Sequence, residues 1–128
     1  MPTPASFDYS VIRVVPRVER QEFVNAGVVV FCLEKRYLDA RIHFDAARLK
    51  ALWPEIDLEL VKEHLEAITR ICKGDPAGGP IAKLPQRERF HWLVAPRSTI
   101  IQPSPVHTGI CDEAGSVLDR LERELLAS

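Results

Sequence analysis

The residues best equipped for chemistry lie between Arg89 and Gly109, RFHWLVAPRSTIIQPSPVHTG, where Arg97, Ser98, Thr99, Gln102, Ser104 and His107 sit among apolar neighbours and three prolines. Arginine offers a planar fork of donors that fits a carboxylate or phosphate, and the hydroxyls of Ser98 and Thr99 can add hydrogen bonds to the same oxyanion. Arg13 and Arg17 supply further guanidiniums from the other end of the chain. If these groups meet over one hollow, the expected chemistry is non-enzymatic recognition of an anionic group or of a protein partner. The competing outcome is that the arginines pair with Glu19, Glu22 or the acidic C-terminal segment and bind nothing.

His107 opens a different possibility: an enzyme acting on a phosphorylated or nucleic-acid substrate, with His107 as acid/base and arginines stabilising developing charge. Ser98 or Ser104 with His107 and Asp112 has the residue types of a nucleophile, a base and an orienting carboxylate. The chain has no G-x-S-x-G turn to expose such a serine. His107, Cys111 and Asp112 place three metal-ligand types within six positions but without a ligand pair elsewhere, so no metal is expected. Gly78-Gly79 lacks the preceding strand and the following Lys-Ser/Thr of a phosphate loop. No cofactor is expected.

Composition limits the classes. The 128 residues carry 46% hydrophobic and 27% charged side chains and a net charge of -1. That is an ordinary globular composition, and near-neutrality argues against broad electrostatic capture of nucleic acid or anionic lipid. The charge is unevenly shared: residues 83–109 hold an excess of three positive charges and residues 110–128 an excess of three negative ones. Cys32, Cys72 and Cys111 are odd in number, far apart and on apolar patterns, as reduced buried thiols are. With no signal-like start and no long apolar run, the expectation is a single domain over residues 1–128, cytoplasmic, with residues 1–6 a flexible tail.

The elements that must position these residues follow from periodicity. Phe7 to Val15 predicts a strand with Arg13 interrupting its apolar row, and Pro16 stops it. Asn25 to Leu33, NAGVVVFCL, has the β-branched, two-sided apolar character of a central covered strand, and Gly27 marks a bulge or close backbone approach. Tyr37 to Phe44 pairs with it as a hairpin, turning Leu38, Ala40, Ile42 and Phe44 inward and leaving His43 on the solvated face. Asp45 caps a short helix over Ala46 to Leu52, and Asp57 to Lys73 is the clearest helix, with Leu58, Val61, Leu65, Ile68 and Cys72 on one stripe and Gly74 behind it. Leu84 to Val94 reads as a short helix opened by Pro85 in preference to an extended segment, with Phe90, Trp92 and Leu93 as candidates for the core ahead of an interface. Pro96, Pro103 and Pro105 bracket a strand over Ser98 to Gln102, leaving His107 in a turn. Asp112 caps a last helix ending at Leu126. The resulting fold class is α+β, a mainly antiparallel sheet of about four strands with two longer helices packed on one face.

Two blocks carry a family likeness. YSVIRVVPRVERQEFVNAGVVVFC, Tyr9 to Cys32, and the Arg89 to Gly109 block resemble the signatures of a family of small bacterial proteins known as domain of unknown function 3037. The likeness covers most of the chain, the middle helices being less distinctive. It implies a HipA-like kinase as partner or substrate, because members are often encoded beside one, and it implies no particular reaction. Matched residue by residue it singles out Arg13, Arg17, Glu22, Asn25, Gly27, Arg97, Ser98, Thr99, Gln102, Ser104 and His107, without giving any of them a role.

Overall fold

Alternation of apolar and polar residues from Ala5 onward builds the first strand, β1 (Ala5–Val14), and a single 3-10 turn at Val18–Arg20 carries the charged connector that follows it. In the computed structural model, which describes residues 4–97 and 99–126, the other strands and α-helices are β2 (Val24–Cys32), β3 (Tyr37–Ile42), α1 (Ala46–Leu52), α2 (Leu58–Lys73), α3 (Gln86–Leu93), β4 (Ile101–Pro103), β5 (His107–Cys111) and α4 (Ala114–Leu125), with further 3-10 turns at Pro76–Gly78 and Pro80–Lys83. The class is α+β with an antiparallel sheet, as the periodicity predicts. The sheet has five strands: β3, β2 and β1 run side by side, and β4 and β5 share the far edge of β1. β5 pairs with Ala5 to Tyr9 and β4 with Ile12 to Val14. Two short strands thus do the work of one, because Pro105 interrupts the stretch between them and proline cannot donate to a ladder.

The two longer helices do not share a face. Ile12, Val14, Val29 and Phe31 pack with α2 and α3 in one core, whereas Phe7, Val28, Val30 and Cys32 pack with α4 in a second. Side chains of a strand point alternately to opposite faces, and β2 is apolar on both, so each face needs its own cover. Charge on α2 and α4 lies away from these cores, which is why each helix alone reads as amphipathic without revealing which face it covers.

A bulge in β2 sets the register. Ile12 pairs with Gly27 but Arg13 pairs with Asn25, skipping Ala26, so that Val24 and Ala26 face α2 while Val28 and Val30 face α4. A Cβ on Gly27 would lie 2.7 Å from Ile42 Cδ1 and 3.0 Å from the Arg41 carbonyl oxygen. Only glycine admits this approach. Gly109 has a comparable reason: a Cβ there would stand 2.7 Å from the Phe7 ring.

Helix ends follow the sequence signals closely. Asp45 accepts from the Arg48 amide and Asp57 from the Leu60 amide, while Gly74 adopts a left-handed φ of 68° and donates back to Arg70 and Ile71 carbonyls. Arg89 on α3 adds to this cap, its Nη1 donating to the Ile71 and Cys72 carbonyls at 2.8 Å. α4 departs from expectation: Glu113, not Asp112, occupies its N-cap and makes no side-chain cap bond. β3 ends at Ile42, leaving Phe44 exposed, and Trp92 lies on the surface at 40% exposure and not in the core. Among the described residues no helix is long and apolar enough to cross a membrane.

Candidate functional site

Arg97 is reached two residues beyond the turn that ends α3. Its guanidinium lies 4.2 Å above the centroid of the Trp92 ring and donates through Nη2 to the Trp92 carbonyl. An indole face attracts a cation, and a carbonyl at a helix C-terminus accepts from it, so one side chain makes two contacts with the same residue. Half-burial lowers the Arg97 pKa by desolvation, and among the described residues no carboxylate pairs with it. The charge is therefore held in place, partly stripped of water and, among the described residues, without a counterion.

Beside Arg97 is a cavity of about 340 Å³, inside the span of about 300 to 1,000 Å³ usual for ligand pockets. Ile68 and Ile71 of α2 and Ile101 of β4 supply apolar walls, and Trp92, Thr99 and His64 bring the polar groups. Thr99 Oγ1 donates to the Ile101 carbonyl at 2.9 Å, and Gln102 Nε2 donates to the Thr99 carbonyl at 2.8 Å, which folds the approach to β4 into a compact turn. Ser98 lies outside the described residues.

Arg13 does not join this cavity. It stands between Ile12 and Val14, which face α2, so strand alternation turns it to the opposite side of the sheet. There it lies 4.4 Å from the Phe23 ring centroid and, with Val15, Val18, Gln21 and Gln102, lines a separate hollow of about 320 Å³. Its Nε is buried without a hydrogen-bond partner among the described residues. Gln21 reaches that hollow with a left-handed φ of 59°, which is uncommon for a residue with a Cβ. Arg17 is neutralised by Glu19 at 2.9 Å, as the competing sequence expectation had it. The meeting of Arg13, Arg17 and Arg97 over one hollow is thus corrected: two guanidiniums line two hollows on opposite faces, and the third is an exposed ion pair.

Ser104 and His107 are separated in role. The Ser104 hydroxyl accepts from the Val11 amide at 2.9 Å, donates to the Pro105 carbonyl at 3.0 Å and meets Ser10 Oγ at 3.3 Å, all in a buried setting. A hydroxyl so engaged fastens β1 to the turn between β4 and β5 and presents no lone nucleophile. His107 belongs to β5, not to a turn, and its exposed ring stacks on Tyr9 at a centroid distance of 5.1 Å. Along a strand His107 and Cys111 are about 13 Å apart, too far to share one metal ion. Among the described residues no three His, Cys, Asp or Glu side chains are gathered as metal ligands.

A family model described as a protein of unknown function (DUF3037) matches residues 9–126. The chain belongs to this family. The match spans both blocks on which the sequence resemblance rests. No curated protein and no solved structure matches the chain.

In this DUF3037 chain the structure also brings together residues that sequence reasoning leaves apart. His43 Nε2 meets Glu122 Oε2 at 2.7 Å, and Arg41 reaches Asp119 at 2.9 Å and both Asp39 and Glu122 at 3.5 Å. Asp39, Arg41 and His43 share one strand face, and Asp119 and Glu122 are one helical turn apart, so the periodicities hold the signal. Linking them requires knowing that α4 covers that face of β3. His64 and Trp92 were missed for the same reason, since only the fold sets α2 beside the segment from 95 to 101.

Proposed function

We propose that this protein is a non-enzymatic binding module that captures an anionic group at Arg97. The observation that carries the proposal is a half-buried guanidinium with no acidic partner among the described residues, fixed on Trp92 at the side of a walled cavity. A partly desolvated cation gains most from a ligand that replaces lost water with charge-assisted hydrogen bonds. Of the residues expected from sequence, Arg97 and Thr99 stand in this site, while Arg13 and Gln102 belong to the hollow on the other face. Exposed tryptophan and arginine are also the residue types that dominate protein contacts. The anion can therefore be presented by a protein, and a HipA-like kinase is the partner we would try first.

Titration with acetate and inorganic phosphate, followed by amide and indole NMR, tests the proposal. Shifts are expected at the Trp92 indole, Thr99 and Ile101 and are expected to vanish in Arg97→Gln. Shifts that persist unchanged in Arg97→Gln would place the anion elsewhere and end the reading.

A further inference from the structure

The walls of the Arg97 cavity say more about the ligand than its charge. Ile68, Ile71, Ile100 and Ile101 with Ala67 form an aliphatic lining, and the polar groups are few: the Arg97 guanidinium, the Thr99 hydroxyl and the His64 imidazole. Thr99 already spends its proton on the Ile101 carbonyl, and Arg97 already covers the face of Trp92 against which a flat ring would otherwise stack. Such a site offers little to the many hydroxyls of a sugar or the hydrogen-bonding edge of a nucleobase. Each polar group of such a ligand buried here without a partner would weaken binding. An aliphatic chain makes no such demand, and its transfer from water onto isoleucine side chains is favourable in proportion to the area covered.

We propose that the ligand class is a small amphiphile, an aliphatic chain ending in one carboxylate or phosphate, with the head on Arg97 and the tail along Ile68, Ile71 and Ile101. This rests on the reading of Arg97 as an anion anchor, and adds to it the identity of what the anion is attached to. Head and tail are held by different residues, so they are separable by experiment.

Isothermal titration calorimetry of the full chain with octanoate, octyl phosphate, octanol and acetate makes the separation, with the Trp92 indole signal reporting the location. Octanoate or octyl phosphate is expected to bind at least about tenfold more tightly than both octanol and acetate, since each of those lacks one of the two contacts. The stronger of the two charged probes identifies the head group. Arg97→Gln is expected to bring that probe down to the level of octanol, Arg97→Lys to retain part of the difference, and Ile71→Ala to weaken octanol as well. Circular dichroism melting checks that each variant is folded, and Arg97→Lys keeps the test valid should Arg97→Gln fold poorly. Acetate as tight as both octanoate and octyl phosphate would overturn the amphiphile while leaving the anion anchor standing. Octanol as tight as both octanoate and octyl phosphate would overturn the anchor and with it the amphiphile, leaving an apolar cavity, and no binding of any probe would overturn both.

Discussion

Arginines in this molecule divide by what neutralises them. Arg17, Arg20, Arg41 and Arg70 have carboxylates within 4 Å, Arg89 is spent on backbone carbonyls, and among the described residues Arg13 and Arg97 are held by aromatic rings and, for Arg97, a carbonyl. Arg89→Ala leaves two helix-end carbonyls and its own space unfilled, and is expected to cost about 2 to 3 kcal/mol in urea unfolding. Arg97→Ala removes one half-exposed cation–π contact and is expected to cost less than about 1 kcal/mol in the same measurement. A larger loss at Arg97 would mark it as structural. Burial also acts on the Cys72 thiol, pushing it up to about 12. Only the folded chain disfavours that thiolate, so the associated stability is present below the ordinary thiol pKa of about 8.5 and is lost as pH rises toward about 12. Thermal melts between about pH 9 and pH 11 are expected to fall more steeply for the native chain than for Cys72→Ala.

At the level of elements, legibility in the sequence follows the number of residues that carry each signal. The span of α2 could be read because Asp57, five apolar residues at helical spacing and Gly74 all agree, and β2 because three valines and a phenylalanine run together. β5 could not, because HTGIC has neither alternation nor a β-branched run and is a strand only through pairing with Ala5 to Tyr9. Trp92 misleads for a different reason: α3 has only eight residues, too few for its periodicity to say which aromatic faces in. The bulge at Gly27 was legible as a glycine needing a reason, and the reason gives a prediction. Gly27→Ala sets a methyl against the Arg41 carbonyl and the Ile42 side chain, and is expected to lower stability by about 1 to 3 kcal/mol in urea unfolding. Breaking the half-exposed His43–Glu122 contact is expected to cost no more than about 1 kcal/mol in a double-mutant cycle, since solvent screens such pairs.

Across the whole molecule, the central fact is a sheet with two cores, α2 and α3 on one side and α4 on the other. The sequence shows that both helices are amphipathic, but not which face each covers, and that missing assignment is what separates Arg13 from Arg97. Residue types point to guanidiniums with hydroxyls and amides nearby in the sequence; their grouping over one hollow does not follow, because strand alternation sends Arg13 away from the face that holds Ile101. The candidate site is accordingly smaller than the sequence suggests and more apolar, one arginine against isoleucines instead of several arginines in concert. The direct measurement is a crystal structure of the protein grown with whichever of octanoate and octyl phosphate binds more tightly. The expected result is its anionic head within hydrogen-bond distance of Arg97 and a tail lying against Ile68, Ile71 and Ile101; the probe bound elsewhere, or with its head turned away from Arg97, would contradict it.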